Sequence, residues 1–387
     1  MLVIDLSFCS ENNDGRKHHG GGHYGFSAAR HIVSYSNSEI LLLVKPGFDQ
    51  YEEGLGRENI RIVFKTGIGI PHELDRCSNI IFLPVPYPYI ESESLPKKAR
   101  IWATVHGLRN LEISRLYAQS ITPDVQKIDY SPTGLLNAVR FLKRRLRAKN
   151  AYARELKKIS LYRKVVEDGH QLLTVSEHSR WTLDLMGVSE KGSGSVHVAY
   201  PLAPFEGDDS GIMMPSHDRR GILFLSAERK EKNLNKLIEA INNYKQLKSL
   251  CFEEKLILTG NKKRIDSVDA RFPVKDWGYC SRENLRSLFL ESKVLVYPSI
   301  NEGFGIPPVQ AFRYGLPVLA SPTTAISEVC LDAAIYANPF DYGEIAARLL
   351  MLLKRPDLRA SQVERGYERY AYLKHKAYSQ WEQFLAL

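Results

Sequence analysis

Cysteine is scarce and scattered: Cys9, Cys77, Cys251, Cys280 and Cys330 are odd in number and none lies in CxxC spacing. A disulfide framework or a thiolate metal site needs paired spacings, so reduced thiols and a cytoplasmic setting are expected. Long apolar runs are missing as well, and none approaches the ~18 residues of a membrane span. Asp5 breaks the N-terminal apolar stretch and no cleavage signature follows it, which argues against a signal peptide. There is no repeat of fixed period. Nor does a DxD-type acidic pair follow any strand-like run, since Asp208 and Asp209 fall in a polar, proline-bearing stretch. Sites that hold Mg²⁺ or Mn²⁺ at a diphosphate need such carboxylates, so no metal is expected.

What is present describes an ordinary globular chain of 387 residues, 44% hydrophobic and 25% charged. That length suits about two or three domains. The net charge of +9 is unevenly placed: Arg140 to Lys164 holds eleven Lys or Arg against Glu155, so the rest of the chain is close to neutral. Leu135, Val139, Leu142 and Leu146 recur at three- and four-residue spacing, the mark of an amphipathic helix. A basic amphipathic helix fits an anionic membrane surface. A solvated surface helix is the bland alternative, and nucleic acid, though able to bind such a face, is not the expected partner.

Taken in order, short buried runs recur at Leu2–Phe8, Ile40–Val44, Ile60–Phe64, Asn79–Leu83, Ile101–Val105, Gln171–Val175 and Val196–Tyr200. A glycine- and histidine-rich loop, Gly15–Gly25, precedes a helix over Phe26–Tyr35. Pro201–His217 reads as a linker. The pattern then restarts with a strand at Gly221–Ser226, a helix at Leu234–Leu247, a strand at Lys255–Thr259 and a helix at Glu283–Leu290 capped by Ser281. Helices over Phe340–Leu353, Leu358–Tyr370 and Lys374–Leu387 follow. Buried strands separated by crossovers imply parallel sheets with helices on both faces. The expected division is an N-terminal Rossmann-like domain (1–202), a linker (203–220), a second such domain (221–370) and a terminal helix (371–387) packing back on the first.

The most informative stretch is KVLVYPSINEGFGIPPVQAFRYGLPVLAS, residues 293–321. A strand over Val294–Tyr297 is stopped by Pro298, Gly303 and Gly305 permit a tight turn, and Pro307 suits a first helical turn. The amides at such a helix start attract anions, phosphate above all. PSINEGFGIPPVQAF resembles the donor-site motif of the retaining glycosyltransferases of family 4, which have the GT-B architecture of two Rossmann-like domains facing a central cleft. That pattern has a glutamate before GFG, met by Glu302, and a second glutamate eight positions on, where this chain has Gln310. The family uses that second position for the ribose hydroxyls, and an amide still offers an acceptor and donors.

The resemblance implies a nucleotide-sugar donor, GDP-mannose or a UDP-hexose, and a saccharide or lipid-linked glycan acceptor in polysaccharide or lipopolysaccharide synthesis, without a metal. Gly303, Phe304, Gly305, Ile306 and Gln310 would bind the nucleotide. Arg229 and Lys232, in FLSAERKEKNL after the second domain's first strand, would clamp the diphosphate; the bland reading is a solvated charged loop. His106, in ATVHGLRN at a strand end, would contact the transferred sugar, with Arg109 a weaker candidate beside it. Gly21 and Gly22 would belong to a loop closing over the phosphates. His18, His19 and His23 raise a metal site only weakly, because no carboxylate or cysteine partner is placed by spacing. VSEHSR, with Ser176 and Ser179, resembles a family turn but reads first as a helix cap. Two rival functions stand beside transfer: a sugar-nucleotide epimerase of the same fold, and a non-catalytic sugar- or nucleic-acid-binding protein.

Overall fold

The computed structural model describes residues 1–9, 20–37, 39–48, 54–92, 95–108, 153–188, 194–207, 219–260 and 269–386. His18, His19, Arg109, residues 140–152 of the basic segment and residues 208–218 of the expected linker lie outside these. The chain forms two compact units, Met1–Ala203 with Gln380–Leu387, and Pro204–Ser379.

In the first unit, Leu2–Asp5 (β1), Ile40–Val44 (β2), Ile60–Phe64 (β3), Ile80–Leu83 (β4), Arg100–Val105 (β5), Gln171–Thr174 (β6) and Ser195–Val198 (β7) build one parallel sheet. Its order is β3-β2-β1-β4-β5-β6-β7. β2 is buried at all five positions, as expected of a strand covered on both faces. The second unit has Ile222–Phe224 (β8), Leu256–Leu258 (β9), Val274–Asp276 (β10), Val294–Tyr297 (β11), Val318–Ala320 (β12) and Ile335–Tyr336 (β13). These are also all parallel, in the order β10-β9-β8-β11-β12-β13. In each sheet the winding reverses beside the first strand, between β1 and β4 and between β8 and β11. Ligands of such folds bind beyond the carboxyl ends of the strands at that reversal.

Each unit has its own core. One gathers Ile81, Ile101, Tyr162 and Leu172, the other Phe224, Leu237, Val296 and Leu349. The expected caps form: Ser176 Oγ accepts from Ser179 N at 3.0 Å, and Ser281 Oγ accepts from Asn284 N at 3.2 Å. Asp341 caps the helix Tyr342–Lys354 in the same way.

Three local expectations are corrected. Within the expected Gly15–Gly25 loop, the described residues from Gly20 onward are helix running to Tyr35, so Gly21 and Gly22 are helical. The helix expected over Leu234–Leu247 is two, Leu234–Asn243 and Lys245–Leu250, because Tyr244 is extended (φ −105°, ψ 104°). The two terminal helices are a single one, Pro356–Leu385, since no glycine or proline separates Tyr370 from Lys374. Its end serves the first unit: Trp381 is fully buried and donates from Nε1 to Tyr200 O at 3.0 Å.

Candidate active site

Arg229, Lys232 and Glu302 stand on the two loops that leave β8 and β11, at the reversal point of the second sheet. Gly221 to Phe224 leads through Ser226 and Asn233, two non-glycine residues with positive φ (57° and 66°), which turn the backbone on either side of Arg229–Lys232. Lys230–Lys232 is a single 3₁₀ turn and Lys232 is buried within it. Glu302 is buried too.

These two charges meet. Lys232 Nζ donates to Glu302 Oε1 at 2.6 Å and to the Tyr297 hydroxyl at 2.6 Å, and sits 4.4 Å from the centre of the Tyr297 ring. Ser299 donates to the same carboxylate oxygen at 2.5 Å. Burial alone would push the Glu302 carboxyl up, but Lys232 and Arg229 outweigh it and hold the group down at about 2. Burial likewise opposes charge on Arg229, and Glu302 and Glu231 reverse that, raising it. Arg229 pairs directly with Glu231, Nη2 to Oε1 at 2.7 Å, and about a third of its side chain stays exposed. The Tyr297 hydroxyl is pushed well above its ordinary value by burial and then by Glu302. The result is an ionised carboxylate, a matched ammonium and a part-exposed guanidinium beyond the carboxyl ends of the two central strands of one sheet.

Directly after Glu302 the chain makes the expected glycine turn. Gly305 adopts φ 100°, ψ 54°, a conformation suited to glycine, and opens the helix Ile306–Arg313 with proline in its first turn. Phe304 is buried at 4% exposure, anchoring the turn from below, while Gln310 is half-buried along the helix. Ile306 is its first residue. Free amides at a helix start attract anions in general, and here Pro307 and Pro308 carry none.

In the first unit, His106 follows β5 and its Nε2 lies 2.7 Å from Pro84 O, with its ring edge-on to Tyr24 at 5.0 Å between centres. A carbonyl oxygen can only accept, so Nε2 is the donor in that contact. A Cβ placed on Gly22 would come within 2.0 Å of Cys9 O, so this glycine serves close packing of the helix on the turn after β1. His23 lies in that helix. Among the described residues, no group of three or more His, Cys, Asp or Glu is gathered as a metal site would need.

Sequence reasoning missed a second charge cluster. Lys65 Nζ lies 2.8 Å from Asp5 Oδ2, both buried, and Tyr89 hydrogen-bonds to both. Here too the ammonium sits 4.4 Å from the tyrosine ring centre. Asp5 ends β1, Lys65 follows β3 and Tyr89 follows β4, so this trio stands at the reversal point of the first sheet. Its members are isolated in sequence and match no motif. Tyr297, Ser299 and Glu231 were likewise legible only as the end of a strand and part of a charged run.

Comparison with known proteins bears on the fold and the family. The fold is GT-B: the whole chain superposes on Anabaena HepE, solved in complex with UDP and glucose, covering 99% of it with a TM-score of 0.64 at 13% identity. Residues 214–369, within which Arg229, Lys232 and Glu302 all fall, match the family described as Glycosyl transferases group 1. The chain is 38% identical over 89 residues to O-antigen chain mannosyltransferase B of Escherichia coli, 23% of each chain. It is 28% identical over 207 residues to the MMP alpha-(1->4)-mannosyltransferase of Mycolicibacterium hassiacum, 51% of this chain and 49% of that one. The matched stretches thus span half or less of these curated relatives.

Proposed function

We propose that the protein is a retaining glycosyltransferase that moves a hexose, mannose foremost, from a nucleotide sugar to a saccharide or lipid-linked glycan during surface polysaccharide synthesis. The observation that carries this reading is the buried Lys232–Glu302 pair beside the Gly305-hinged helix start, in the stretch matching the group 1 family. The mannosyltransferase relatives support mannose, and the UDP complex of HepE keeps a UDP-hexose as the other donor to try.

The bond from the anomeric carbon to the donor phosphate breaks first, its electron pair leaving with the nucleoside diphosphate. Arg229, Lys232 and the amides of Gly303 to Ile306 stabilise that charge, with no metal ion required. Gln310 meets the ribose hydroxyls. Glu302 orients the sugar. The acceptor hydroxyl attacks from the face the leaving group vacates, and its proton passes to the departing phosphate oxygen. The work is done in the cytoplasm, at an anionic membrane surface engaged by the basic segment 140–164, and not on nucleic acid. No described helix is long and apolar enough to cross a membrane.

The test is incubation with GDP-mannose or UDP-glucose, with and without a saccharide acceptor, in EDTA. Acceptor-dependent release of nucleoside diphosphate is expected. A changed donor sugar without acceptor points to an epimerase, loss of turnover in EDTA removes the metal-free step, and absence of any turnover or nucleotide binding overturns the reading.

A further inference from the structure

Thr324 holds a backbone conformation that its side chain resists. It follows β12 with φ 50° and ψ −134°, a region that type II′ turns fill with glycine. A β-branched residue is the worst suited to it. Strain of this kind persists only where surrounding contacts enforce it, and it gathers at functional sites.

The contact that Thr324 makes is with the site described above. Its Oγ1 accepts from the backbone N of Glu302 at 2.9 Å. Ser321 Oγ and Thr323 Oγ1, from the same loop, both donate to Ser299 O, the latter at 2.9 Å. One hydroxyl-rich loop therefore grips the Ser299–Glu302 turn at both ends, its first carbonyl and its last amide. Glu302 in turn aims its carboxylate at Lys232. Glycine would suit the backbone of Thr324 better but could not supply the hydroxyl.

The far end of the short helix Ala325–Cys330 provides an internal comparison. Leu331 has nearly the same dihedrals, φ 44° and ψ −126°, and is half-exposed. Its side chain can make no hydrogen bond. Strain at Leu331 belongs to the turn after the helix, where its carbonyl accepts from the Tyr336 hydroxyl at 2.6 Å, and no contact of Leu331 reaches Glu302; strain at Thr324 goes with a bond to Glu302.

We infer that Thr324 is a positioning residue for the transfer reaction: its hydroxyl fixes the Glu302 amide, and through it the direction of the Glu302 carboxylate, at the expense of a strained backbone. This rests on the proposed function for its effect on turnover. The structural half does not depend on it.

The experiment compares T324G, T324S and L331G by melting temperature, steady-state kinetics and deuterium exchange of the peptide covering Glu302. T324G should melt no lower than wild type because strain is relieved. Its kcat should nonetheless fall about tenfold or more, with KM for the donor changing much less, and the Glu302 amide should exchange faster. T324S keeps the hydroxyl and should restore both kcat and protection. L331G should melt higher, with kcat and exchange at Glu302 unchanged. Wild-type kcat in T324G, or wild-type exchange at Glu302 in T324G, overturns the inference. If the wild-type protein transfers no sugar, the proposed function has failed, and the exchange arm still decides whether Thr324 holds the turn.

Discussion

Lys232 and Glu302 are 70 positions apart in sequence and 2.6 Å apart in space, both almost wholly removed from water. A pair of this kind costs little to replace as a unit and much to break. We expect K232M alone, or E302Q alone, to destabilise the second unit by about 3–5 kcal/mol, because one buried charge is left without its partner. The double variant K232M/E302Q should be more stable than K232M alone, a coupling that denaturant unfolding of the four proteins measures.

The same pair sets an acid limit. Glu302 is held at about 2 against an ordinary 4.5. A carboxyl depressed on folding adds stability above its ordinary value, and that stability drains as pH falls from there toward the folded value. Melting temperatures taken between about pH 6 and pH 3 should therefore drop more steeply for wild type than for E302Q. Parallel curves would assign the acid sensitivity to other groups.

Arg229 should separate function from folding. A third of its side chain is exposed and its partner Glu231 is two residues away, so R229A should lower the melting temperature less than K232M does, the loss coming through Glu302, which Arg229 helps to hold ionised. Its loss from the leaving-group side should lower turnover about tenfold or more. Assays with GDP-mannose and UDP-glucose at saturating concentration would show it.

Gly22 is a packing residue as well as a candidate binding one. Alanine favours a helix over glycine by about 1 kcal/mol, yet a methyl there would meet Cys9 O at 2.0 Å. We expect the clash to win and G22A to cost about 1–3 kcal/mol. G69A, where nothing lies within 4 Å, is the matched control and should be near neutral.

Much of the fold could be read from residue order because the strands are buried on both faces: Ile40–Val44 and Val294–Tyr297 match their apolar runs end to end. Val274–Asp276 and Ile335–Tyr336 escaped because they are three and two residues long and only partly buried. Cap chemistry at Ser281 was legible since it is local, whereas the break at Tyr244 was not, since no breaker residue marks it. For the site, the glycine turn announced Glu302 and the charged run announced Lys232. Their contact could not be read, because nothing in either segment encodes the register between β8 and β11. The Asp5–Lys65–Tyr89 trio is the harder case, three ordinary residues made into a cluster solely by strand order.

The end of the long helix Pro356–Leu385 has a further consequence for how this molecule comes into being. Trp381 and Phe384 are core residues of the unit that begins with Met1. A ribosome releases that unit's seven strands early, yet its last two aromatic plugs arrive only after the whole of the other unit has been translated. The half made first is thus the half finished last, and dividing the gene at the junction near Ala203 would yield an N-terminal fragment with an open wound where Trp381 belongs.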